Sequence, residues 1–248
     1  AGLLERVTDH MHSKSEYLPR QRFWTIRAKH IILSTGAFER HIAFNNNDIP
    51  GVMNANAAKH YLNRYGVLSG QNITLATNND SVYDTAIELA KAGSNVSIID
   101  SRSSIGNEIT EELNKNNIEL ILGRVPYNIN GKKSIHNIEL RNSNIENSNH
   151  NHQIKSDLVL LSGGWSPVVH LLSHRGVKPK WDDENLCFIP SEIIEPITVA
   201  GSASGVWGTE DCVASGVAAG LCAAKSLGLK TTDYFFPKIG GWKNPIQP

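Results

Sequence analysis

Two apolar segments of the sequence end in small residues of the kind that let a backbone approach a ligand. The run at positions 31–33 leads into Thr35 and Gly36, and the run at positions 197–200 leads into Ser202. Glycine has no Cβ, and a short hydroxyl side chain can bond a sugar hydroxyl, so such turns suit a nucleotide. Either turn alone is equally typical of an ordinary β-turn. Together they predict two strands whose ends meet at one nucleotide site.

A helix of small residues is predicted at about positions 209–227, and Trp207 and Thr209 stand at its start. Thr is a frequent N-cap, and the free amides behind a cap favour a phosphate, so we expect Thr209 to cap the helix beside a bound anion. The simpler alternative is that Thr209 only caps the helix and Trp207 only covers it. The predicted cofactor-binding residues are Thr35, Gly36, Ser202, Trp207 and Thr209, and no catalytic residue is predicted.

Residues 72–100 give the clearest structural unit of the chain. We expect an apolar strand at 73–77, a helix at 82–92 with Gly93 as its stop, and a second strand at 96–100. Strand, helix and strand at this spacing predict a βαβ unit on a parallel sheet.

Further elements follow from the same apolar periodicity and its breaks. They are helices at 54–65 and 109–116, strands at 119–122, 158–161 and 197–200, and a solvated hairpin tip at 142–153.

The first turn of the βαβ unit lacks the glycines that a dinucleotide site needs. A G-x-G-x-x-G turn lets backbone amides reach the pyrophosphate, but its positions here hold Thr77, Asn79 and Val82. We expect Asn79 to block the phosphate position, and Asp80 to satisfy the helix amides itself and repel an anion. Asp100 ends the second strand where an acid would hold a ribose hydroxyl. The unit therefore predicts a Rossmann-like domain that has lost its own nucleotide site, with altered nucleotide binding as the alternative.

The composition excludes several classes of protein. The chain has 248 residues with 24 basic and 24 acidic side chains, so no overall charge draws it to nucleic acid or to an anionic membrane. No apolar run is long enough to span a bilayer, and the first residues lack the features of a signal peptide. We expect a cytoplasmic protein. The absence of an initial Met suggests that the sequence starts inside a longer chain.

Metal and dithiol chemistry are not predicted. Cys187, Cys212 and Cys222 form no C-x-x-C, which fits a reducing compartment and argues against zinc and against a redox disulfide. His170 and His174 have the i, i+4 spacing of a helical chelate, but no companion acid completes a known motif.

Longer motifs carry a specific resemblance. They are GAFER at 36–40, FNNNDIPGVM at 44–53, YLNRYGV at 61–67 and LSGGWSPVVHL at 161–171. Together with TNND at 77–80, they closely resemble the α subunit of heterotetrameric sarcosine oxidases over nearly the whole chain. The segment AKHIILSTGA at 28–37 also resembles the strand and turn of flavoproteins with two dinucleotide-binding domains.

The resemblance implies an α/β fold of the FAD/NAD(P)-binding, disulfide-reductase-like type, with two Rossmann-like domains of which the first is incomplete. Residues 1–50 and 165–228 would form the returning part of the first domain. Residues 51–164 would form the inserted domain, and residues 229–248 a tail or linker. The strands at 31–33 and 197–200 should then lie in one sheet.

The resemblance also implies an αβγδ enzyme that oxidatively demethylates sarcosine to glycine, forms hydrogen peroxide and passes the one-carbon unit to tetrahydrofolate. FAD would lie in the β subunit, FMN near the α/β contact, and a non-catalytic NAD in the α subunit. The family's G-x-G-x-x-G unit and its folate-binding domain are outside this sequence, so we expect a scaffold that is inactive alone. Ser202 stands where related strands carry Asp, and the lost charge favours NAD over FAD at this site.

Three other functions are considered. A sister complex, such as a hydrogen cyanide synthase, an opine oxidase or a dye-linked amino-acid dehydrogenase, would share the fold and differ in substrate. A purely structural module would only bridge subunits, without a bound nucleotide. A pyridine-nucleotide disulfide reductase is disfavoured because the sequence has neither C-x-x-C nor C-x-x-x-x-C.

Overall fold

The computed structural model describes residues 1–13, 15–144, 152–191 and 196–232. The helices are α1 (Ala55–Tyr65), α2 (Tyr83–Lys91), α3 (Asn107–Lys115), α4 (His170–Ser173) and α5 (Thr209–Ser226). The strands are β1 (Gly2–Arg6), β2 (Gln21–Thr25), β3 (Ile31–Leu33), β4 (Ala37–Glu39), β5 (Val52–Asn54), β6 (Asn72–Thr77), β7 (Asn95–Asp100), β8 (Glu119–Leu122), β9 (Arg124–Gly131), β10 (Ile135–Asn142), β11 (His152–Lys155), β12 (Leu158–Ser162), β13 (Trp165–Pro167), β14 (Pro179–Asp182), β15 (Cys187–Pro190) and β16 (Ile197–Val199).

A five-stranded parallel sheet forms the centre of the described chain. Its strand order is β5-β12-β6-β7-β8, and every neighbouring pair is parallel. Ile73 and Leu75 of β6 pack with helices α1 to α3 on one face, while Ala76 packs on the other face. Burial on both faces explains why these strands are continuous apolar runs. The predicted βαβ unit is therefore present, with α2 between β6 and β7.

The second face of this sheet is covered by an antiparallel sheet of order β11-β10-β9, which the sequence analysis did not predict. Ile129, Ile138 and Leu140 point into the shared core. The outer face carries Asn130 and Glu139, whose side chains bond each other at 2.7 Å. Polar residues on that face gave the segment the composition of a loop. Residues 145–151 of the predicted hairpin tip lie outside the described residues.

The two segments that end in small residues do join one sheet, as predicted. β16 lies parallel to β3, with Ile197 opposite Ile31 and Val199 opposite Leu33. The amide of Ala200 continues the pairing by donating to the carbonyl of Leu33 at 2.9 Å. Helix α5 packs against this pair.

Two antiparallel pairs connect the parts of the molecule. β4 pairs with β13 where the chain leaves and rejoins the β3/β16 pair, and β14 pairs with β15 next to them. A third pair, β1 with β2, carries the exposed apolar side chains of Leu3, Leu4, Phe23 and Trp24. Across the described ranges, no helix is long and apolar enough to cross a membrane.

Candidate functional site

A cavity of about 650 Å³ opens at the ends of β3 and β16. One wall is formed by these strand ends and the start of α5, and the other by β4, β13, α1 and the 3₁₀ turn Asp80–Val82. Four of the five predicted cofactor-binding residues line the cavity: Gly36, Ser202, Trp207 and Thr209. Thr35 does not, because its hydroxyl donates to the carbonyl of Val168 at 2.8 Å. The structure thus brings the predicted residues together, and their binding of a nucleotide stays a prediction.

Gly36 and Ser202 face each other across the ends of the two strands. Gly36 has φ +74°, a left-handed backbone that favours glycine, and a Cβ built there would lie 4.0 Å from the hydroxyl of Ser202. Gly201 has φ +67°. Glycine conformations therefore shape both turns. The Ser202 hydroxyl lies next to the Gly36 backbone, which carries no side chain.

The predicted capping role of Thr209 is wrong. Gly208 is the N-cap residue, with φ 85° and ψ 145°, and Thr209 is the first residue of α5. No side chain caps α5, so its first backbone amides lie uncapped beside the cavity. Glu210 and Asp211 in the first turn are exposed and give the helix dipole its acidic partners.

Trp207 closes the cavity beside the start of α5. It is 9% exposed, and its indole N–H donates to Oδ1 of Asn185 at 2.9 Å. Asn185 lies in the turn between β14 and β15, so this hairpin fixes the ring. Trp207 therefore covers the start of α5, as in the simpler alternative, and its contact with a nucleotide stays a prediction.

The second wall contains Glu39, Asn56 and Trp165, which the sequence analysis did not single out. Glu39 is 8% exposed, and its Oε2 accepts the amide N–H of Asn56 at 2.9 Å. Loss of water around the Glu39 carboxyl raises its pKa, while the Asn56 amide and the Ser162 hydroxyl oppose the shift. No spacing in the sequence connects these residues, because the β4/β13 crossing brings them together.

Asn79 blocks the glycine-motif turn as predicted, but it also supports the cavity wall. Its side chain is fully buried; Oδ1 accepts from the amide of Ser81 at 3.1 Å and from the hydroxyl of Ser81 at 2.6 Å. The same hydroxyl accepts the indole N–H of Trp165 at 2.9 Å. Asn79 Nδ2 donates to the carbonyl of Ser162 at 3.1 Å. Asn79, and not Asp80 as predicted, caps this helix start.

Asp80 and Asp100 are both committed to Arg102. The guanidinium forms ion pairs of 2.8 Å with each carboxylate. Asp100 is fully buried and also accepts the hydroxyl of Tyr83 at 2.6 Å. Burial and the neighbouring Asp100 raise the pKa of Tyr83, so its hydroxyl stays a donor. The ribose and phosphate positions of the inserted unit are therefore filled by its own side chains.

Within the described ranges, no group of three or more His, Cys, Asp or Glu residues could hold a metal ion. His170 begins the four-residue helix α4, and His174 follows its end.

Comparison with known proteins agrees with the fold. A family model for pyridine nucleotide-disulphide oxidoreductases matches residues 5–192. Among solved structures, the thioredoxin reductase of T. acidophilum aligns with a TM-score of 0.59 and 21% identity, over 81% of this chain and 65% of that one. A FAD-dependent pyridine nucleotide-disulphide oxidoreductase from Desulfovibrio vulgaris aligns with a TM-score of 0.60 and 14% identity, over 83% of this chain and 55% of that one.

Sequence relatives confirm the resemblance found from the motifs. The chain is 36% identical to the α subunit of sarcosine oxidase from Rhizobium meliloti over 229 residues, which is 92% of this chain and 22% of that protein. It is 35% identical to the corresponding protein of Corynebacterium sp. strain U-96, over 91% of this chain and 24% of that protein. One opine oxidase subunit, from Rhizobium meliloti, is 28% identical, over 82% of this chain and 43% of that protein. The chain spans about a quarter of the length of the sarcosine oxidase subunits that it matches. Through its fold and the model that matches most of its length, the chain belongs to the pyridine nucleotide-disulphide oxidoreductase family.

Proposed function

We propose that this chain is the nucleotide-carrying scaffold of the α subunit of a heterotetrameric sarcosine oxidase. The observation that carries the proposal is the cavity at Gly36, Ser202 and the uncapped start of α5. Three sarcosine oxidase α subunits, at 34–36% identity, support the assignment to this enzyme. The chain would form the returning part of a first dinucleotide domain from residues 1–50 and 165–228, and an inserted domain from residues 51–164.

The residues of the cavity fit NAD. Its volume of about 650 Å³ lies in the range of small-molecule sites. The uncapped amides of α5 would donate to oxygen atoms of the nucleotide, and the Ser202 hydroxyl would bond a ribose hydroxyl without adding negative charge. The Gly36 turn would let the backbone approach the same ligand. NAD, when bound, supplies a nicotinamide ring that can accept or release hydride.

In the described part of the inserted domain, the usual nucleotide positions are occupied by side chains. Asn79 fills the phosphate turn, and Arg102 already forms ion pairs with both Asp80 and Asp100. The sequence also lacks the paired cysteines of a disulfide reductase, although the fold is of that type. The chain therefore serves the complex by holding the cofactor and the subunits together, and the amine is oxidised elsewhere.

The reaction of the whole complex would be oxidative demethylation of sarcosine to glycine, with hydrogen peroxide and methylene-tetrahydrofolate as products. FAD and FMN would be carried with the β subunit, tetrahydrofolate by another part of the α subunit, and the γ and δ subunits would complete a cytoplasmic assembly.

An opine oxidase is the second candidate, because one subunit of such an enzyme is 28% identical to this chain. The two candidates share the fold and differ in the amine that the complex oxidises. Comparing the rates at which the purified complex oxidises sarcosine and an opine distinguishes the two candidates. The other sister complexes are tested in the same assay with their own substrates.

Mass spectrometry of the nucleotide released from the purified complex tests the scaffold role. Wild type is expected to release NAD. The Thr209 hydroxyl lines the cavity and would bond the nucleotide, so Thr209→Val should retain about 5 to 30 times less, since one hydrogen bond is worth on the order of 1 to 2 kcal/mol. Trp207→Ala is expected to lose NAD through lost cover, while amine turnover stays largely intact. Full NAD content in both variants would place the nucleotide away from this cavity. A wild-type complex without NAD would reject the proposal.

A further inference from the structure

Two short connections join the inserted unit, which holds the five-stranded sheet, to the β3/β16 part of the molecule. Residues 40–51 lead into the unit and residues 163–164 lead out of it. The connections pair with each other, because the amide of Arg40 donates to the carbonyl of Gly164 at 2.8 Å and the amide of Gly163 donates to the carbonyl of Arg40 at 2.9 Å. The antiparallel β4/β13 pair therefore continues, through backbone hydrogen bonds, as far as the end of β12.

The point where the connections cross is closely packed. A Cβ built on Gly163 would lie 3.2 Å from the carbonyl oxygen of Arg40 and 3.3 Å from that of His41. A hinge between two parts of a protein needs residues whose φ and ψ can change freely. Two connections that are bonded and packed against each other have less of this freedom than two separate loops.

The first turn of α1 is bonded by a residue of β4. Glu39 Oε2 accepts the amide N–H of Asn56 at 2.9 Å. The side chain of Asn54, the N-cap residue of α1, makes no capping bond, and its Nδ2 donates instead to the backbone carbonyl of Glu39 at 3.1 Å. The carboxyl that caps α1 therefore comes from outside the inserted unit.

The turn that precedes α2 is bonded by a residue of β13. The indole N–H of Trp165 donates to the Ser81 hydroxyl at 2.9 Å, and this hydroxyl donates to Asn79 Oδ1 at 2.6 Å. Asn79 Nδ2 donates to the carbonyl of Ser162, whose hydroxyl bonds the Glu39 carboxyl. Because Glu39 lies directly opposite Trp165 in the β4/β13 register, these bonds close a ring.

The members of this ring are shielded from water. Asn79 and Ser162 are fully buried, Ser81 is 6% exposed and Glu39 is 8% exposed. Rotation of the inserted unit about its connections would break several of these bonds together, and it would leave buried donors and acceptors without partners. The ring therefore opposes any movement of the unit relative to β4 and β13.

We propose that the β4/β13 pair is a lock, in which Glu39 and Trp165 hold the starts of α1 and α2 and thereby keep the inserted unit in a single orientation. The cavity wall that these two residues form is then in place before a ligand enters. The lock goes beyond the proposed function and does not depend on which ligand the cavity takes, so its failure would leave that proposal standing.

The first test measures the orientation of the unit in wild type and does not depend on the folding of a loop variant. Unnatural amino acids that carry spin labels replace Glu111 on α3 and Cys222 on α5, which are both exposed, in the complete purified complex. Pulsed electron paramagnetic resonance should give one narrow distribution of label distances, and saturating NAD should leave it unchanged. A broad or double distribution, or one that NAD shifts, would overturn the lock.

The second test opens the ring and follows a distant amide. Ser81→Ala removes the acceptor of the Trp165 indole, and hydrogen exchange of the Asn56 amide in α1 should become about five- to tenfold faster, with a broader distance distribution. Ser94→Ala is the matched control, because Ser94 is 7% exposed and loses one bond, to the carbonyl of Gly70, at the other end of α2. The control should leave both measurements unchanged. Faster exchange in Ser81→Ala that is confined to the turn around Ser81 would show that Ser81 supports this turn alone, and it would also overturn the lock.

Discussion

Trp165 lies directly opposite Glu39 in the antiparallel pair of β13 and β4, and the two residues close one side of the cavity together. Hydrogen bonds link both residues, directly or through Ser162, to the turn at residues 79–81 of the inserted unit. Ser81 accepts the indole N–H, and the Asn79 amide reaches the carbonyl of Ser162, whose hydroxyl bonds the carboxyl of Glu39. A turn without the glycines of a dinucleotide motif is thus part of the wall of a neighbouring cavity.

Replacement of Glu39 by Gln should stabilise the chain at neutral pH. Folding removes water from the carboxyl and raises its pKa above the ordinary 4.5. Its contribution to the unfolding free energy is therefore fully present below the ordinary pKa and is lost as the pH rises through the raised folded pKa. Gln does not titrate, so Glu39→Gln should melt above wild type at about pH 7 and lose that advantage at about pH 4.

Thermal unfolding followed by circular dichroism at both pH values measures this difference. Glu111→Gln, at an exposed position of α3, is the matched control and should leave the melting temperature unchanged. A lower melting temperature for Glu39→Gln at neutral pH would show that the charged carboxylate is stabilised within the fold.

Restoring a glycine at position 79 should not restore a nucleotide site. Asn79→Gly removes the cap on the Ser81 amide and leaves a buried carbonyl of Ser162 with one donor fewer, a loss of about 2 to 4 kcal/mol. Denaturant unfolding measures the loss, with the half-buried Asn78→Ala as the milder control. NAD and NADP should still bind this unit no tighter than roughly millimolar, because Arg102 and its acids fill the ribose position. Micromolar binding in calorimetry that appears in Asn79→Gly and is absent from wild type would contradict this account.

Replacement of Arg102 should destabilise the inserted unit, because it leaves Asp100 without its ion-pair partner. Arg102→Met leaves the fully buried carboxyl of Asp100 without its ion-pair partner, which costs about 3 to 5 kcal/mol. The double variant Arg102→Met with Asp100→Asn removes the stranded charge and should recover a large part of that loss. A double variant that is as unstable as the sum of the two single variants would mean that Tyr83 alone satisfies Asp100.

The sequence predicted elements well where burial dictates composition. β6 and β7 are apolar because both of their faces are covered, and α1 ends at Gly66, which takes the left-handed conformation expected of a C-cap. β9 and β10 were missed because one of their faces carries polar side chains such as Asn130. The polar side chains of this face form hydrogen bonds between neighbouring strands, but in the sequence the same residues have the composition of a loop.

The candidate site was predicted in part. Its first wall follows from local turns, in which small residues end two strands. Glu39 and Trp165 are more than a hundred residues apart, and their pairing depends on where the chain crosses back. Thr209 is a residue type that often caps helices, but Gly208, with φ 85°, occupies the N-cap position. The sequence does not tell which of several neighbouring glycines takes a positive φ.

The two thiols of α5 give a direct measure of where a nucleotide lies. Cys212 lines the cavity, whereas Cys222, further along the same helix, is exposed. Burial raises the pKa of Cys212, so less thiolate is present at neutral pH and a maleimide should label it more slowly than Cys222. Saturating NAD should slow labelling of Cys212 further, by an expected factor of about 5 or more, and leave Cys222 unchanged as the internal control. Peptide mass spectrometry after timed labelling measures both rates, and the buried Cys187 should stay unlabelled with and without NAD. If NAD is retained by the protein while Cys212 reacts at the same rate with and without it, the nucleotide does not occupy the space between α5 and the Glu39 wall.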